Sequence, residues 1–139
     1  MPIQPSGAIG VRGHIEILPE YVDGLADLDG FSHIILLYVF HMTSKVNLMV
    51  TPFLDLNPRG VFATRAPTRP NPIGLSIVKL LGVKENTLQI ENVDVIDGTP
   101  LLDIKPYVPE FDQYPEARVG WLEEKTGKVG KTKADKRFK

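Results

Sequence analysis

The 139-residue sequence contains no cysteine. That excludes disulfides, thiolate zinc sites, Fe–S clusters and a cysteine nucleophile. No apolar run approaches the ~18 residues that span a bilayer as a helix. The opening Met1-Pro-Ile-Gln-Pro-Ser6 has neither the basic nor the apolar segment of a secretory signal. The expected compartment is therefore the cytoplasm. Histidine is scarce: His14, His33 and His41 follow no zinc-type spacing such as HExxH, so no metal site is expected. Neither a GxSxG elbow nor a GxGxxG opening a helix is present, which removes support for hydrolase chemistry and for an ordinary Rossmann site. The tail segment Gly127-Lys-Val-Gly-Lys-Thr132 imitates a phosphate loop, but Lys125 stands where the first glycine is required.

Turn formers are plentiful, with 12 glycines and 12 prolines. The 42% hydrophobic content is enough for one packed domain and too high for a disordered chain. A net charge of −1 conceals an asymmetry. From Lys125 onward six lysines and Arg137 face Asp135 alone, so the remainder is acidic. Such a tail reads either as a polyanion contact or as a solubilising terminus.

Alternation over His14–Leu18 predicts a strand, and Tyr21–Leu28 a short helix or turn. Phe31–His41 is a near-continuous apolar run, read as a central strand buried on both faces. Further strands are expected over Val46–Thr51, Gly60–Thr64, Ile73–Val83, Thr87–Ile96 and Leu101–Val108. Glu85-Asn86 and Asp97-Gly98 supply turns between them. The apolar phase slips from Leu88 and Ile90 to Val93 and Val95, which predicts a bulge near Glu91-Asn92. The sum is a mainly β domain, barrel or sandwich, with few short helices over residues 1–118. A basic tail follows over 119–139.

Three segments carry candidate chemistry. Ala66–Pro72 holds three prolines, which exclude regular structure and stiffen the loop that presents Arg65, Arg69 and Asn71. A planar guanidinium suits a carboxylate or phosphate, and the plain alternative is a loop stapled by arginine-to-backbone bonds. In the second segment Asp94, Asp97 and Asp103 lie among apolar residues, where carboxylates need partners. Asp97 reads as a turn former, Asp103 as a partner of Lys105, and Asp94 as the best ligand candidate, able to hold ribose hydroxyls or an ammonium group. Third, His33 and His41 bracket the apolar strand, and His41 at its exit is better placed to meet a ligand.

The pieces Phe31-Ser-His-Ile34, Tyr38-Val-Phe-His41, Gly60-Val-Phe-Ala-Thr-Arg65, Arg69-Pro-Asn-Pro-Ile-Gly-Leu-Ser76 and Asp97-Gly-Thr-Pro-Leu-Leu-Asp-Ile-Lys-Pro-Tyr107 resemble, in order, the TrmO-type tRNA methyltransferases, also called the TsaA-like or YaeB family. The resemblance covers most of residues 8–118. It implies a small β-barrel of largely antiparallel strands, working as a homodimer. It implies S-adenosylmethionine-dependent methylation of N6 of N6-threonylcarbamoyladenosine beside the anticodon of tRNA. Carried over by position, the cofactor contacts fall on Gln4, Pro5, His41, Met42, Arg65, Leu75, Asn92, Val93 and Asp94. Arg69 (or Arg65) and Asn71 become the expected contacts to the modified nucleoside. His41 and Asp94, with Asp103 behind them, become candidates for the proton-accepting group. Family members usually carry a further strand of the type Ile-Gly-Val-Ile-Arg-Ser-Pro before the Gln-Pro element, whereas this chain starts almost at that element. A non-catalytic RNA-binding barrel and a purely structural dimer module stay open as alternatives.

Overall fold

A strand whose residues alternate between two environments buries one face, and the Phe31–His41 run does this. A computed structural model, which describes residues 11–53, 55–91, 93–95 and 97–123, places β2 at His33–Val39. Ile34, Leu36 and Tyr38 are buried, while His33, Ile35, Leu37 and Val39 are half-buried. The expectation of burial on both faces is therefore corrected: only one face of β2 lies in the core. The cause is its antiparallel neighbour β5 (Ile73–Lys84), whose Leu75 and Ile77 pair with the half-buried Leu37 and Ile35 and are themselves exposed.

The sheet is antiparallel throughout its five strands. With β1 at Arg12–Glu16, β6 at Thr87–Glu91 and β7 at Leu101–Pro106, the order is β1-β6-β5-β2-β7. The β5–β6 hairpin turns at Glu85-Asn86, with Glu85 in the left-handed region (φ 55°). Its inner face gathers Ile34, Leu36, Tyr38, Val78, Leu80, Leu88 and Ile90 into one core. Each fully buried aliphatic side chain there contributes roughly 1.5–3 kcal/mol relative to exposure. Leu25 and Leu28, from the short 3-10 turns Pro19–Leu25 and Leu28–Gly30, pack against it.

The fold is mainly β, as predicted, but the closed barrel is not seen among the described residues. β1 and β7 are edges that do not pair with each other. The sheet is nonetheless curled, since residues of β1 and Leu101 of β7 border one concavity of about 530 Å³ floored by Leu36, Tyr38 and Ile90. Closure needs every edge to find a partner at matching tilt and stagger, and five described strands leave two edges over.

Two shorter expectations are also corrected. β6 ends at Glu91, opposite Arg12 at the start of its partner β1, so Thr87–Ile96 is not one strand. The bulge expected near Glu91-Asn92 falls on Asn92, which lies outside the described residues; the register shifts that are described lie at Leu37/Tyr38 and Leu80/Gly82. Between β2 and β5, only Met49–Val50 (β3) pairs with Arg59–Gly60 (β4), and Val61–Ala63 turns into a 3-10 helix. Pro52 and Pro58 cut these strands short.

A second compact unit begins at Val108. An α-helical turn there, α1 (Pro109–Asp112), opens on a proline, and Asp112 Oδ2 accepts a bond from the Val108 N–H at 2.8 Å.

Candidate functional site

The antiparallel register brings three strand ends to one end of the sheet. The Val39 N–H donates to Pro100 O at 3.0 Å, and the Phe40 N–H to Pro72 O at 2.7 Å. The exit of β2, the entry of β5 and the entry of β7 are thereby tied together. The proline-rich loop is tied to the same end, because the Asn47 N–H donates to Thr68 O at 2.9 Å.

At this end three polar side chains form a chain. Tyr38 Oη and Ser76 Oγ are 2.7 Å apart, and Ser76 Oγ donates to Asp94 Oδ1 at 3.0 Å. Tyr38 is buried at 7% exposure, and Ser76 and Asp94 are half-buried. Burial pushes the Tyr38 hydroxyl above its ordinary range. The Asp94 charge pushes the same way, while the Ser76 hydrogen bond and the Arg65 guanidinium push back. Arg65 thus acts electrostatically on the same hydroxyl from an exposed position. Asp94 Oδ2 has no partner among the described residues.

Gly74 makes this packing possible. It faces Tyr38 across the β2–β5 ladder. A Cβ added there would stand 2.7 Å from Tyr38 Cζ and 2.8 Å from Phe40 Cζ, and closer still to Tyr38 Cε2. The two rings meet edge-on at 5.7 Å.

The remaining sequence-predicted residues divide. Arg69 staples its own loop: Nη1 donates to Thr64 O at 2.8 Å and to Ala66 O at 3.0 Å. This is the plain alternative weighed for it, and it leaves Nε and Nη2 without a partner among the described residues. Asn71, His41 and Met42 are exposed, Met42 at 73%. Leu75 precedes Ser76 on β5, so its side chain stands on the opposite, outer face of the sheet from Asp94. Val93 packs on the core, close over Gly13. Gln4, Pro5, Asn92 and most of the basic tail lie outside the described residues.

Asp97 falls in a turn with Gly98, whose φ of 84° suits glycine. Asp103 pairs with Lys105 at 2.9 Å and accepts the Ile104 N–H at 2.8 Å. His33 bonds Ser32 Oγ at 2.8 Å and meets Tyr107 edge-on. The sequence reading missed Tyr38 and Ser76. A tyrosine in a buried run was a usable signal, because a buried phenol requires a hydrogen-bond partner.

The sequence model of the tRNA-methyltransferase O N-terminal domain matches residues 1–113. A probable S-adenosyl-L-methionine-binding protein of Pyrococcus abyssi is 53% identical over 138 residues, covering 99% of this chain and 75% of that protein. A tRNA (adenine(37)-N6)-methyltransferase of Escherichia coli is 38% identical over 133 residues, covering 88% of this chain and 57% of that protein. The crystal structure of TrmO from Pseudomonas aeruginosa superposes with a TM-score of 0.71 at 37% identity, covering 96% of this chain and 65% of that one.

Proposed function

Because this chain belongs to the tRNA-methyltransferase O N-terminal domain family, we propose that it is an S-adenosylmethionine-dependent methyltransferase. Its target is N6 of N6-threonylcarbamoyladenosine next to the anticodon of tRNA. Relatives named for S-adenosylmethionine binding and for tRNA (adenine(37)-N6) methylation support the cofactor and the base.

The observation that carries the reading is Asp94 anchored through one oxygen by Ser76, with Arg65 acting on the same cluster. The donor set suits the cofactor. A carboxylate with an available oxygen accepts from ribose hydroxyls or an ammonium group, and a guanidinium pairs with a carboxylate. The residues assigned to it by position are Gln4, Pro5, His41, Met42, Arg65, Leu75, Asn92, Val93 and Asp94, with Leu75 contributing through its backbone. When bound, S-adenosylmethionine supplies a methyl group activated on a sulfonium.

The chain's own contribution is orientation and proton removal. The N6 nitrogen of this nucleoside is urea-like and needs a proton acceptor, for which His41 and Asp94 are the candidates. Arg69 holds the threonyl carboxylate through Nε and Nη2, a contact that plain adenosine lacks. Asn71 lies beside it in the same stiff loop.

The working unit is a homodimer in the cytoplasm. Its support is the outer sheet face, where Ile73, Leu75 and Ile77 are each 46% exposed beside Ile35, Leu37 and Val39, an apolar surface that needs cover. In the dimer the barrel is completed around residues 1–118, and the basic segment 119–139 contacts tRNA phosphates. Among the described residues no helix is long and apolar enough to cross a membrane.

Incubation with methyl-labelled donor and threonylcarbamoyl-modified tRNA, followed by nucleoside analysis, tests the reading. Label in the methylated threonylcarbamoyl nucleoside, and none with tRNA lacking the modification, is expected. TRNA binding without donor binding or transfer would overturn it in favour of an RNA-binding module.

A further inference from the structure

The hydrogen-bond chain behind Asp94 has a direction that fixes its role. A serine hydroxyl carries one proton, and an ionised carboxylate only accepts. Ser76 gives that proton to Asp94 Oδ1, so it must accept from Tyr38. The order is Tyr38 O–H to Ser76 Oγ, and Ser76 O–H to Asp94. The phenol is buried and its pKa raised, so it keeps its proton and remains the donor at the head of the chain.

Asp94 lies beyond the end of the strand ladder. β6 ends at Glu91, and the bond from Val93 N–H to Val11 O is long at 3.5 Å. Asp94 itself lies in irregular structure. By contrast Ser76 sits within β5, paired with Leu36, and Tyr38 is held between β5 and β7. The sheet thus reaches through two hydroxyls to a carboxylate that stands outside the ladder.

We propose that Ser76 is a positioning residue, primed by Tyr38, that fixes the rotamer of Asp94 and so presents Oδ2 to the cofactor. This rests on the reading of Asp94 as a cofactor ligand. Loss of the hydroxyl frees the carboxylate to rotate, and the cofactor must then supply the ordering itself. A hydrogen bond to a charged group is strong enough for roughly tenfold weaker binding on its removal. Tyr38→Phe, which leaves Ser76 in place but undirected, costs roughly threefold by the same reasoning.

Calorimetric titration of the full chain with S-adenosylmethionine tests this on the parent, Ser76→Ala, Tyr38→Phe and the double variant, each with its melting temperature. Support is a loss at Ser76→Ala, a smaller loss at Tyr38→Phe, and a double variant no weaker than Ser76→Ala, because Tyr38 acts only through Ser76. Additive losses would mark two independent packing defects and overturn the proposal. Parent-like binding by Ser76→Ala would do the same. Should Ser76→Ala melt early, Tyr38→Phe decides alone: an unchanged affinity overturns the relay. Failure of the parent to bind removes the cofactor reading together with this inference, whereas binding that is lost in Asp94→Ala but kept in Ser76→Ala removes the inference alone.

Discussion

Asp55 and Asp94 are two carboxylates in irregular stretches of the same unit, and they are held in opposite ways. Asp55 has a side chain only 1% exposed, and its own loop fills both oxygens. Oδ1 accepts from the N–H groups of Leu56 and Asn57, and Oδ2 from Arg59 Nε at 2.9 Å. Asp94 is half-buried and, among the described residues, anchored through Oδ1 alone. A carboxylate saturated by its surroundings organises a loop. One held at a single oxygen is oriented with capacity left for a ligand.

Removing each group breaks the comparison most directly. Asp94→Ala is expected to weaken S-adenosylmethionine binding roughly 100-fold, the loss of a few charge-assisted hydrogen bonds, with the melting temperature shifted by less than about 2 °C. Asp55→Ala removes the carboxylate that bonds Arg59 Nε and the Leu56 and Asn57 N–H groups, and should lower the melting temperature by at least about 5 °C. Its effect on affinity should stay within about twofold, because the bonds described for Asp55 run to Leu56, Asn57 and Arg59 and those described for Asp94 to Ser76. Calorimetry and thermal unfolding of both variants check the pair. If Asp55→Ala loses binding at unchanged stability, the assignment of the two roles is reversed.

The sequence revealed these two carboxylates unequally. Five strands and two turns were legible from alternation and from Glu85-Asn86 and Asp97-Gly98, since those signals are local. The one-sided burial of β2 was not. Apolar residues on its outer face look like core until the exposure of β5 is known. The barrel expectation failed on edges, which depend on which strands meet and not on any strand's own pattern. At the site, Asp94, Arg65 and the stiff loop were legible by residue type. The Tyr38–Ser76–Asp94 chain was not, because its members lie 38 and 18 positions apart and meet only in the folded chain. The need for Gly74 was hidden for the same reason, since the Tyr38 ring occupies the space a side chain would need.

Acid sharpens the comparison with a smaller effect. Arg59, followed by the loop's own N–H groups, holds the Asp55 carboxyl down at about 2. A pKa lower in the folded than in the unfolded chain contributes stability above the unfolded value of ~3.9 and loses it as pH falls toward the folded one. The contribution of Asp55 is therefore complete at neutral pH and declines from about pH 4 down to about pH 2. The Leu56 and Asn57 amide resonances should keep their neutral-pH positions to about pH 3 and move only below it. Movement centred near pH 4 would show that the ion pair is loose in solution.

The smallest effect is expected at a third carboxylate, Asp103, whose geometry on paper rivals that of Asp55. It meets Lys105 at 2.9 Å and the Ile104 N–H at 2.8 Å, and the Lys105 hydrogen bond holds its carboxyl below the usual range. Exposure separates the two. The Asp103 and Lys105 side chains are 47% and 58% exposed, so water competes for the same bonds and salt screens the charges. Lys105→Ala is therefore expected to change stability by less than about 1 kcal/mol, against the larger loss at Asp55, and the difference should shrink further in ~0.5 M salt. Chemical denaturation of the parent and Lys105→Ala at low and high salt measures it. A loss at Lys105 matching that at Asp55 would mean that contact distance outweighs burial in ranking these carboxylates. The separation of structural from ligand-facing groups drawn here would then need a different basis.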